Sequence, residues 1–159
     1  MRLLLVEDDE DKREQLLMFF DEHFTFSVDE VRSFQSALKA IKTICYDLII
    51  LDMTIPTYDI SPIEQGGRAQ AFGGEMLLHE MKRRHIMSKA IVVTQFDLFG
   101  KDEDEITLID LDLRLMKQFP INYLGAIQYN IKYTSWESAL LDTICLLYTS
   151  DAADDTPCV

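Results

Sequence analysis

Four short apolar runs constrain this chain more than any other feature. They are Leu-Leu-Leu-Val at 3–6, Leu-Ile-Ile-Leu at 48–51, Ala-Ile-Val-Val at 90–93 and Tyr-Leu-Gly-Ala-Ile at 123–127. Each is continuous rather than alternating, the pattern of a strand covered on both faces in a parallel sheet. A further run, 24–28, alternates and is expected as a strand nearer an edge. Helical spacing fills the intervals. Leu16, Leu17, Phe19 and Phe20 lie within 11–22, and Phe34, Ala37, Leu38 and Ile41 follow the capping candidate Ser33. Leu77, Leu78, Met81 and His85 share a face within 74–85, and Trp136, Leu140 and Ile144 follow Ser135. Residues 106–119 fit two periods. Ile109, Leu111, Leu113 and Leu115 alternate with polar neighbours, whereas Leu108, Leu111, Leu115 and Phe119 share a helical face. A run of that length ending at Pro120 exceeds an ordinary strand, so a helix is expected. Regular alternation of strand and helix implies an α/β fold. The expected form is an open, doubly wound, five-stranded parallel sheet with helices on both faces.

At 159 residues the chain suits one domain, and its net charge of −13 argues against a nucleic-acid or anionic membrane surface. No apolar stretch approaches the roughly 20 residues of a bilayer span. The apolar start turns acidic at Glu7, too soon for a signal-peptide core, so a cytoplasmic location is expected. Cys45, Cys145 and Cys158 form no CxxC zinc pattern. His23, His79 and His85 show no metal-ligand spacing, and no phosphate-binding glycine loop follows a strand. Trp136, Tyr133 and Tyr129 read as packing rather than a base-stacking platform. The connection 53–73 is long and holds Pro56, Pro62, Gly66, Gly67 and Gly73, a place where function often concentrates.

The chemistry lies in carboxylates at strand ends. Glu7, Asp8 and Asp9 follow the first strand, and Asp52 ends the third. Ligands of open parallel sheets bind beyond the carboxyl ends of the strands, where the strand order reverses. In the order 2-1-3-4-5 the first and third strands are neighbours and these acids converge. Grouped carboxylates repel unless neutralised, and Mg²⁺ with its preference for hard oxygen ligands meets that need. A carboxylate beside such an ion can attack phosphorus and form an aspartyl phosphate. Asp9 is expected to cap the following helix instead.

The segments MRLLLVEDDEDKREQL and DLIILDMTIP resemble the receiver domain of two-component response regulators. The resemblance implies a flavodoxin-like sheet of order 2-1-3-4-5, Asp52 as phosphoacceptor, and Mg²⁺ held by Glu7, Asp8, Asp52 and the main-chain carbonyl of Thr54. Pro56 falls where the family carries a proline. Thr94 ends the fourth run where the family uses a hydroxyl to touch the phosphoryl group. The implied partners are a histidine kinase or phosphotransfer protein as donor, and a downstream protein. The domain is then a phosphorelay signalling element rather than a conventional enzyme.

Three departures from the family pattern stand out. The connection 53–73 is longer than usual, and Gln95 replaces a small residue. The family lysine at the end of the fifth strand has no clear counterpart. Ending that strand near Tyr129 or Asn130 leaves Lys132 slightly beyond it, while the other alignment takes Lys117 from Lys117-Gln118-Phe119; Arg68 is a further source of charge. These departures keep open a pseudo-receiver that binds proteins without phosphorylation. A dehalogenase-type phosphatase ranks lower, because Asp52-Met53-Thr54 lacks the second aspartate of that motif. The end of the chain, from about Cys145 to Asp155, resembles a translated sequencing adapter. The expected division is a receiver domain over 1–144 and a non-native or disordered tail over 145–159.

Overall fold

The computed structural model describes residues 1–59 and 69–151. Five parallel strands form the main sheet: β1 (Arg2–Val6), β2 (Ser27–Val31), β3 (Leu48–Leu51), β4 (Lys89–Thr94) and β5 (Tyr123–Gln128). Their spatial order is β2-β1-β3-β4-β5, as the sequence suggests. The helices between them are α1 (Glu10–His23), α2 (Phe34–Thr43), α3 (Gly73–Arg83), α4 (Leu108–Gln118) and α5 (Ser135–Asp151).

The continuous apolar runs are explained by two cores. Side chains alternate across a strand, so Leu4 and Val6 of β1 pack with Ile49, Leu51 and Val92 towards α2, α3 and α4. Leu3 and Leu5 point the other way. They join Ile50, Ile91 and Val93 with Leu16, Phe19 and Phe20 of α1 and Leu140 and Ile144 of α5. Tyr129 and Trp136 pack in this second layer, 5.2 Å between ring centroids, as expected of core aromatics, whereas Tyr133, expected to pack with them, is exposed.

Local chemistry sets the helix ends. The Asp9 side chain accepts from the Lys12 amide at 3.1 Å and caps α1. Ser33 and Ser36 cap α2 reciprocally, with the Ser33 Oγ accepting from the Ser36 amide at 3.2 Å and the Ser36 Oγ from the Ser33 amide at 3.1 Å. Ser33→Ala is therefore expected to lower the unfolding free energy by about 1 kcal/mol, read as a shifted urea midpoint with unchanged slope.

Three elements depart from the expected boundaries. The second strand begins at Ser27 rather than residue 24, because the Phe24 amide still donates to Phe20 of α1 at 2.9 Å. Phe24 and Phe26 then stack on each other at 4.5 Å. Within 106–119, Thr107 caps α4, and Ile106–Thr107 pairs antiparallel with Leu98–Phe99 before the helix starts. This leaves Ile109 and Leu113 exposed, which accounts for their ambiguous period. Finally, α5 continues past Cys145 to Asp151 and buries Leu147 in the second core. The rest of the expected tail, 152–159, lies outside the described residues. Among the described residues, no helix is long and apolar enough to cross a membrane.

Candidate functional site

Strands β1 and β3 pair side by side, with Val6 opposite Leu51, so the residues that leave them emerge together. The Asp52 amide donates to the Val6 carbonyl at 3.2 Å, and the Glu7 amide to Val31 at 3.1 Å. These bonds carry the ladder one residue past each strand and aim Glu7 and Asp52 into one pocket. Oxygen atoms of Glu7, Asp8 and Asp52 lie within 4.8 Å of one another. Glu7 and Asp52 are buried and Asp8 is half-buried. Burial pushes the Glu7 carboxyl up to about 7; the neighbouring Lys12 opposes this and Asp52 adds to it. Burial also pushes the Asp8 carboxyl up from its ordinary value.

A cation that sequence reasoning did not single out completes the cluster. The Lys12 Nζ lies 2.6 Å from Glu7 Oε2 and 3.1 Å from Asp52 Oδ2. It also donates to the Val93 carbonyl at 2.6 Å and is only 2% exposed. In the charge-rich segment Glu10–Glu14 this lysine reads as a solvated surface residue. The available signal is its place in the first turn after the strand-end acids. Helical side chains lean towards the helix N-terminus, so Lys12 folds back over the residues just before α1. Arg13 does the same, with Nη1 on the Glu7 carbonyl at 3.3 Å and Nε beside Glu30 at 3.3 Å.

The remaining expected residues are placed as follows. Asp9 is exposed and serves as the α1 cap. Thr54 is half-buried next to the site, and its amide faces Asp52 Oδ1 at 3.4 Å. Thr94 is buried at the end of β4, where its Oγ1 accepts from the Phe96 amide at 3.2 Å. The end of β5 brings no lysine: Gln128 pairs with Thr94, and the Tyr129 amide donates to the Thr94 carbonyl at 2.8 Å. Lys117 is exposed in the last turn of α4, and Lys132 is exposed beyond β5 with its amide on Asn130 Oδ1 at 2.9 Å. Arg68 lies outside the described residues. Among the described residues, the ion pairs to Glu7 and Asp52 come from Lys12. A cleft of about 370 Å³ opens beside it, lined by Asp9, Lys12, Gln95, Tyr129 and Asn130 among others.

The backbone behind Asp52 is held by Gly74, whose amide donates to the Met53 carbonyl at 2.9 Å. A Cβ there would stand 2.7 Å from the Asp52 carbonyl oxygen and 3.0 Å from the Met53 Cα. Both are main chain and cannot swing aside. Gly74→Ala is expected to cost about 1–3 kcal/mol by overpacking, measured by chemical denaturation, and to shift the Asp52–Thr54 amide resonances. Just downstream, Ile55–Pro56 pairs antiparallel with Ala69–Gln70. The long connection is thus pinned at its base, and the Thr57 carbonyl accepts from the Gln35 amide at 3.0 Å at the start of α2.

Sheet order, helix placement and the acidic pocket at the ends of β1 and β3 define a receiver fold. The receiver domain of sensor histidine kinase PA1611 from Pseudomonas aeruginosa PAO1, solved with a magnesium ion in its active-site cleft, matches with a TM-score of 0.58 and 18% identity. The match covers 91% of this chain and 97% of that one. No family model matches the chain. The uncharacterized protein y4jR of Sinorhizobium fredii is 33% identical over 144 residues, covering 88% of this chain and 94% of that protein. The Detocs response regulatory protein DtcB of Enterobacter cloacae is 27% identical over 147 residues, covering 91% and 98%. The chain belongs to one family with y4jR, and its fold is that of the signal receiver domains of response regulators.

Proposed function

We propose that this chain is a response-regulator receiver that accepts a phosphoryl group on Asp52 from a histidine kinase or phosphotransfer protein in the cytoplasm. The observation that carries the reading is the convergence of Glu7, Asp8 and Asp52 at the ends of two adjacent strands. The response-regulatory name of one relative supports it.

The donor set suits Mg²⁺. It consists of hard carboxylate oxygens, two of them buried, in a pocket where burial and mutual repulsion disfavour the charged form of Glu7. Asp8, Asp52 and the Thr54 carbonyl would hold the ion, with Glu7 beside them. When bound, it supplies charge neutralisation at the phosphoryl oxygens. The chain's own part is to present the nucleophile. An oxygen of the Asp52 carboxylate attacks phosphorus and forms the P–O bond. The P–N bond to the donor imidazole breaks, and its electron pair stays on nitrogen, which takes a proton. Thr94, at the end of the neighbouring strand, is the hydroxyl proposed to meet a phosphoryl oxygen.

The test is intact mass after incubation with acetyl phosphate. A Mg²⁺-dependent gain of one phosphoryl group is expected in the wild type and none in Asp52→Asn. A gain of the same size in Asp52→Asn removes the assignment.

A further inference from the structure

A phosphoryl group on Asp52 adds negative charge beside Glu7 and Asp8, which a side-chain cation can offset alongside the metal. The end of β5 offers Gln128, Tyr129 and Asn130, none of them cationic. Lys117 and Lys132 are exposed, the first on α4 and the second past the strand. Lys12 instead reaches the acceptor carboxylate from α1, at 3.1 Å.

We propose that Lys12 is the cation of the phosphoryl site, supplied from the first turn of α1 rather than from the end of the fifth strand. The inference rests on Asp52 being the acceptor. Three features point to it. The ammonium's three donors face Glu7 Oε2, Asp52 Oδ2 and the Val93 carbonyl, so its position is fixed by contacts on three elements. The residue also lines a cleft of about 370 Å³ together with Gln95 and Tyr129. And Lys12 contacts Asp52 through Oδ2, while the Thr54 amide approaches Oδ1 at 3.4 Å. The two oxygens of the acceptor therefore face different partners, one towards α1 and one towards the loop after β3.

The placement has a consequence for signalling. A conventional receiver lysine would connect the acceptor to β5. Lys12 connects it to α1 and, through the Val93 carbonyl, to the residue before Thr94. An ammonium has three donors and all three are engaged, so a phosphoryl oxygen that draws it displaces one of these contacts. The response then begins among the elements that Lys12 joins, α1 and the ends of β1, β3 and β4.

Lys12 also competes electrostatically with a bound cation, which gives a test with opposite signs. Full-length wild type, Lys12→Gln, Lys12→Arg, Lys117→Ala and Lys132→Ala would be compared. The readouts are the rate of acetyl-phosphate labelling by intact mass and Mg²⁺ affinity by calorimetry. Losing one charge-assisted contact in Lys12→Gln should slow labelling roughly ten- to hundredfold. Its Mg²⁺ affinity should rise, because a positive neighbour is gone. The two surface-lysine variants should match the wild type in both. Labelling of Lys12→Gln at the wild-type rate overturns the assignment. So does a joint loss of labelling and Mg²⁺ affinity, which marks a purely structural role. Should Lys12→Gln unfold, Lys12→Arg decides. It keeps the charge, but a planar guanidinium cannot reproduce the three-way contact, so slower labelling with retained Mg²⁺ binding supports the proposal. Wild-type labelling in Lys12→Arg, with loss in Lys117→Ala or Lys132→Ala, refutes it. If the wild type gains no mass at all, the acceptor reading itself has failed, whereas wild-type labelling matched by Lys12→Gln removes only the role of Lys12.

Discussion

Lys12→Met is expected to lose about 3–5 kcal/mol of unfolding free energy in EDTA at neutral pH, the usual cost of removing one partner from a buried ion pair. The methionine fills much the same volume, so little of the loss comes from a cavity. It comes from leaving Glu7 and Asp52, 1% and 2% exposed, without their ammonium. The Val93 carbonyl loses its donor as well. Two comparisons separate charge from packing. Pairing Lys12→Met with Glu7→Gln removes one positive and one negative group together, and should recover part of the stability. Adding Mg²⁺ should restore more stability to Lys12→Met than it adds to the wild type, because the ion then supplies the missing charge. A loss that neither treatment reduces would place the effect in packing rather than in electrostatics.

The second large effect is metal linkage. If the acid cluster holds Mg²⁺ as proposed, the ion finds no such cluster in the unfolded chain and should stabilise the wild type by about 2.7 kcal/mol at a hundred times its dissociation constant. Asp8→Ala should abolish most of that gain, since Asp8 is the more accessible acid of the cluster. Asp9→Ala should retain it, although it loses up to about 1–2 kcal/mol of its own from the missing α1 cap. Thermal unfolding with and without Mg²⁺ in the three proteins gives the answer directly. Equal metal-induced shifts in the wild type and Asp8→Ala would exclude Asp8 as a ligand.

Much of the architecture is legible in the sequence itself. Runs of buried residues on both faces can hardly be anything but central strands of a parallel sheet, and Ser33 announces the helix after it. Glu7, Asp8 and Asp52 were legible too, because acids at the ends of such strands can emerge only at the sheet's carboxyl edge. Those features depend on local periodicity and on chain direction, which a linear string preserves.

Other features depend on what a residue meets after folding. The start of β2 slid to Ser27 because α1 extends to His23 and Phe24 completes its last turn. Ile109 and Leu113 are as apolar as Leu111 and Leu115, yet the first two are exposed while the second two are buried in the core. Lys12 is the clearest case. Its partner carbonyl lies 81 residues away at Val93, and Asp52 belongs to another strand. Along the chain it is one charge among many, and its place in the first turn after the strand-end acids does not by itself say that it is buried. Helix propensity and alternating apolar runs are short-range properties, so the sequence could fix the sheet and its acids. The burial of one ammonium between three elements is a long-range property, and only the assembled fold decides which lysine carries it.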